Sequence, residues 1–74
     1  MSRRYYSLVE RVNGAWAPQF GSYDRDDVDA EREEYVDNGV RSRDLKIITT
    51  GDLQADIIAA VELLNAQEVA NAKR

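Results

Sequence analysis

Eight carboxylates fall within residues 24–37: Asp24, Asp26, Asp27, Asp29, Glu31, Glu33, Glu34 and Asp37, with only Arg25 and Arg32 against them, a local balance of −6. Clustered carboxylates can hold a hard cation, share protons in acid–base catalysis, or present a negative surface to a basic partner. Spacing separates these uses. A calcium loop of the EF-hand kind needs glycine at its sixth position and glutamate at its twelfth, and counted from Asp24 those places hold Asp29 and Tyr35. Acid–base work needs burial to drive two carboxyl pKa values apart, which an exposed helix face does not supply. What remains is docking to a basic protein surface, with simple solvation of a helix face as the bland alternative.

The rest of the composition narrows the chemistry further. The chain has 74 residues, 14 acids, 10 bases, no histidine and no cysteine. It therefore lacks a thiolate, a disulfide and the commonest zinc ligand and general base, so neither a metal site nor a cofactor is expected. Gly14, Gly21, Gly39 and Gly51 are isolated from one another and build no phosphate-cradling loop. Arg3, Arg4, Arg11, Arg41, Arg43 and Lys46, with Tyr5, Tyr6 and Trp16, could form a basic and aromatic surface of the kind that stacks single-stranded bases. The net charge of −4 works against phosphate contacts, so nucleic acid is not the expected partner. The absence of cysteine fits a reducing compartment, and no apolar run approaches the ~20 residues of a membrane span, so a cytoplasmic protein is expected.

These side chains need a scaffold, and turn residues mark it out. Residues 4–12 are rich in aromatic and β-branched types and run into Asn13-Gly14, the pair that a type I′ hairpin turn favours, which predicts strands over 4–12 and 15–20. Pro18 lacks an N–H and belongs on an edge strand. Asp24 can cap a helix over 25–38 that ends at Asn38-Gly39, with Val28 and Tyr35 as its thin apolar stripe. Leu45–Thr50 reads as a third strand. Leu53, Ile57, Ala60, Val61 and Leu64 recur at helical spacing and predict a second helix over about 53–70.

The order ββαβα in a single domain over 1–74 predicts an α+β fold. A strand–helix–strand crossover should make strand three parallel to strand two and antiparallel to strand one, in a three-stranded sheet of order 2-1-3. Both helices are expected on one face, a two-layer sandwich whose other sheet face is open. Alternation along strand one then buries Tyr6, Leu8 and Val12 and leaves Tyr5, Val9 and Trp16 on the open face as aromatic and aliphatic anchors for a partner.

On helix one, Asp26, Asp29, Glu33, Glu34 and Asp37 point away from the Val28/Tyr35 stripe and form an outward acidic ridge. Helix two is apolar almost all round. Its reverse side carries Ala55, Ile58, Ala59, Ala66 and Val69, interrupted by Glu62 and Asn65. A helix of that kind is usually covered on two sides, and a homodimer through Ala55, Ile58, Ala59, Glu62 and Ala66 would supply the second cover.

The segments Tyr5-Tyr6-Ser7-Leu8-Val9, Asn13-Gly14-Ala15-Trp16, Gln19-Phe20-Gly21-Ser22-Tyr23-Asp24-Arg25 and Leu45-Lys46-Ile47-Ile48 together resemble small uncharacterised proteins encoded by bacteriophages and prophages. The likeness spans residues 5–50 and brings no catalytic residues with it. It implies a compact accessory protein that binds and inhibits or redirects a host protein. The expectation from the residues themselves is a non-enzymatic protein-binding module that uses the acidic ridge or the open sheet face. A single-stranded nucleic-acid binder working through the sheet face, and a small enzyme whose pocket forms between subunits, are the alternatives from other classes.

Overall fold

The computed structural model describes residues 4–72, in the order β1 (Tyr5–Val12), β2 (Ala15–Ser22), α1 (Arg25–Asp37), a 3₁₀ turn (Ser42–Asp44), β3 (Leu45–Thr50) and α2 (Gln54–Ala72). The hairpin turns on Asn13 and Gly14, whose φ angles of 54° and 84° are the positive pair that a type I′ turn requires. β1 pairs antiparallel with β2 on one side and with β3 on the other, so the sheet has order β2-β1-β3 with β1 in its centre. The α+β class and the strand order agree with the sequence reading.

β2 runs two residues past the expected end at Phe20, since Gly21 and Ser22 still pair with Ser7 and Tyr6, and its register contains an irregularity. Leu8 pairs with Phe20 but Val9 pairs with Pro18, so Gln19 is an extra residue beside the proline. Such a bulge shifts every later side chain to the opposite face. Trp16 and Pro18 therefore share the face of Val9, whereas Phe20 and Ser22 share the face of Leu8. The absence of a Cβ at Gly21 lets the Tyr5 ring lie against the strand, and any larger residue there would displace that ring.

α1 is bounded by its own sequence. The Asp24 carboxylate accepts the Asp26 N–H at 2.9 Å and closes the helix start. At the other end Gly39, with φ of 102°, donates to the Val36 carbonyl, and Val40 donates to the Tyr35 carbonyl, both at 3.0 Å. This is the paired termination that a left-handed glycine permits, and it folds Val40 back onto Tyr35 in the core.

The core has two parts. Leu8, Val28 and Leu45 are buried together, with Tyr6, Tyr35, Val40 and Ile47 around them. Val9, Trp16 and Val61 are buried together, with Ile48 and Leu64 around them. Leu8 and Val9 are adjacent on one strand and point to opposite faces, yet neither has any exposed surface. α1 thus covers one face of the sheet and α2 the other. The expectation of two helices on one face is corrected to three layers, and the reason is width. The outer strands of a three-stranded sheet lie ~10 Å apart, about the diameter of one helix. One helix fills the Leu8 face, and the equally apolar Val9 face needs its own cover.

Two burial expectations change with it. Leu8 is buried and Tyr6 half-buried, but Val12 stands 45% exposed at the hairpin end. Leu53 is 65% exposed, because it precedes α2 and contributes its carbonyl to the Asp56 and Ile57 N–H groups rather than its side chain to the core.

Candidate interaction surfaces

α1 turns its acids outward. Asp26, Asp29, Glu33, Glu34 and Asp37 are all exposed, while Val28, on the opposite side, is fully buried. Asp29 meets Arg25 at 3.7 Å, one turn away. Among the described residues, Asp26, Glu33, Glu34 and Asp37 form no ion pair. The Tyr35 phenol beneath the ridge is pushed above the usual tyrosine range, first by desolvation and then by the charges of Glu31 and Glu10.

The Val9 face is not open, so three of the proposed anchors change role. Val9 and Trp16 are core residues under α2, 0% and 4% exposed, and neither is available to a partner. Tyr5 is half-buried; its ring lies over Gly21 and meets the Tyr23 ring edge-on at 5.0 Å. What α2 leaves uncovered is a groove of about 240 Å³ near its first turn, lined by Tyr5, Pro18, Gly21, Gln54 and Ile57 among others. Ser7, at the groove, is 1% exposed and already shares a hydrogen bond with the Thr50 hydroxyl at 3.0 Å.

α2 is fastened to the sheet by polar contacts as well as by Val61 and Leu64. Asn65 accepts the Trp16 backbone N–H at 2.6 Å and donates to the Trp16 carbonyl at 3.2 Å, behaving toward the edge of β2 as another strand would. Glu68 accepts from the Trp16 indole N–H at 3.2 Å and from Arg11 at 3.3 Å, and Arg11 also reaches Asp44 at 3.1 Å. The Arg11 guanidinium and the Lys46 ammonium lie 5.0 and 5.3 Å from the Trp16 ring centre. Two of the cations in the proposed phosphate-binding set, Arg11 and Lys46, are thus turned onto the protein's own tryptophan. Arg3 lies outside the described residues.

The clasp was not foreseen, although a signal for it existed. Asn65 and Glu68 lie four and seven residues after Val61, the spacing of the core-facing stripe, and two polar side chains at such places need partners. Asn65, read as part of the reverse side, belongs to the sheet-facing flank. The reverse side proper is exposed: Ala55, Ile58, Ala59, Glu62 and Ala66 all meet solvent, with Ile58 at 45%. The side chain of Val69 lies outside the described residues. Among the described residues no group of three or more acidic side chains is placed to hold a metal ion, and no helix is long and apolar enough to cross a membrane. No protein family, curated protein or solved structure matches the chain.

Proposed function

We propose that the chain is a non-enzymatic protein-binding module that meets a basic protein surface through the outer side of α1. The observation that carries this reading is the exposure of Asp26, Asp29, Glu33, Glu34 and Asp37 on the side of α1 opposite buried Val28. A row of like charges on one helix raises a local negative potential that steers a basic partner and fixes its orientation more than it adds raw affinity. The likeness to phage-encoded accessory proteins suggests a host protein as the target, and the absence of cysteine suggests the cytoplasm as the place. The open sheet face drops out of the reading because α2 covers Val9 and Trp16.

The test compares the wild-type chain with Asp29→Lys/Glu33→Lys as bait, at low and high salt. Binding through the ridge predicts partners that are retained at low salt by the wild type, lost as salt screens the contact, and absent from the double variant. Equal recovery of the same partners by both baits would reject it. Retention of a labelled oligonucleotide at physiological salt would favour the nucleic-acid alternative instead.

A further inference from the structure

The two edges of the sheet are treated differently. β2 is blunted three times over: Pro18 offers no N–H, the Gln19 bulge interrupts the ladder, and Asn65 occupies the outward N–H and carbonyl of Trp16. β3 has none of these. Its six residues, Leu-Lys-Ile-Ile-Thr-Thr, contain no proline and pair regularly with β1. The one backbone hydrogen bond on their outer side among the described residues, from the Leu45 N–H to the Ser42 carbonyl, falls at the strand's first residue and leaves Ile47 and Thr49 unpaired there. Ile47 on one face and Ile48 on the other remain only half-buried. A β-branched edge of this kind is a template for another strand.

We infer that β3 is a self-association edge, pairing antiparallel with β3 of a second copy to make a six-stranded sheet. Charge selects the occupant. The chain enters β3 past exposed Arg41 and Arg43 and leaves it past exposed Asp52 and Asp56. A two-fold axis normal to the sheet keeps each face on its own side, so the pairing must centre on Ile47 or on Ile48. In either register the arginine end of each strand lies opposite the aspartate end of its partner, twice per dimer. The outer side of α1 stays free on both copies.

A six-residue strand is about 20 Å long and, with its flanking side chains, offers roughly a few hundred Å², less than the ~800 Å² per partner of a standard interface. The dimer is therefore weak and depends on concentration. Sedimentation equilibrium on the full chain, from micromolar to millimolar, should show monomer passing to dimer. Arg41→Glu/Arg43→Glu and Asp52→Lys/Asp56→Lys should each weaken self-association by about tenfold, and an equal mixture of the two variants should recover it, since both ends then meet opposite charge. Circular dichroism reports whether each variant keeps its fold. Wild type that stays monomeric at millimolar concentration overturns the inference. So does a dimer that tolerates both charge reversals but breaks with Ile58→Lys/Ala59→Lys, which would move the contact to the outer side of α2.

Discussion

The two faces of the sheet are closed in different ways. On the Leu8 face, α1 is built by its neighbours in sequence: Asp24 starts it, Gly39 and Val40 end it, and Val28 and Tyr35 dock it with apolar contacts. On the Val9 face, α2 is held by distant residues, with Asn65 and Glu68 reaching Trp16 across 49 and 52 positions of chain and Glu68 reaching Arg11 across 57. The first arrangement leaves the outer side of α1 unburdened by structural work, so it can carry like charges at little cost. The second commits cations and carboxylates at the rim of the core to fastening the helix. Surface charge on the two helices therefore means different things.

The largest break in this comparison is expected at Trp16. Trp16→Ala removes the ring that fills the α2-side core and bears Arg11, Lys46 and Glu68, and should cost about 3–5 kcal/mol, a large part of the stability of a domain this size. Denaturant unfolding gives the magnitude. Hydrogen exchange gives the location, with amides of residues 61–68 losing protection before those of α1. A uniform loss across both helices would argue that the two faces are not separable.

Asn65→Leu comes next. It leaves the Trp16 backbone N–H and carbonyl without their partner and should cost about 1–3 kcal/mol, with loss of protection at the Trp16 amide. Asp24→Ala probes the other face and should cost about 1 kcal/mol through the lost N-cap, with the effect confined to the first turn of α1. If Asp24→Ala were the costlier of the two, the contrast between local and distant fastening would be reversed.

A smaller effect concerns pH. The Tyr35 pKa is raised in the folded chain, so the neutral phenol is favoured there and folding resists its ionisation. The sign follows directly: this contribution is fully present below the unfolded tyrosine pKa of about 10 and is lost as pH rises through the higher folded value. Thermal unfolding should weaken above about pH 10, and Tyr35→Phe should remove part of that slope while leaving neutral-pH behaviour nearly unchanged.

What could be read from sequence divides along the same line. Asn13-Gly14, the Asp24 cap and the Asn38-Gly39 stop are local features, and each predicted its turn or helix end correctly. Sheet order followed from Pro18 and the crossover. Val9 and Trp16 do share a face as expected, but that face is core and not open, because nothing in the strand pattern said that α2 would cover it. The Gln19 bulge, which carries no distinctive residue, instead parts Phe20 and Ser22 from the face of Trp16. The placement of α2 was missed for a related reason. Ile57, Ala60, Val61 and Leu64 marked its core-facing side correctly, but that stripe does not say which face of the sheet it meets, and the polar contacts to Trp16 that decide it lie about fifty residues away. The acidic ridge was legible because α1 has a single apolar stripe, which leaves only one way to orient it.

On the proposed reading, partner recognition belongs to the outer side of α1, since the Val9 face is closed by the chain's own second helix. Amide-resolved NMR of the labelled chain, titrated with a partner captured by the wild type and not by Asp29→Lys/Glu33→Lys, tests this directly. Shifts concentrated at Asp26, Asp29, Glu33, Glu34 and Asp37, with Val9 and Trp16 undisturbed, are the predicted result. Shifts centred on Val9 and Trp16, with the Asn65 contact released, would contradict it.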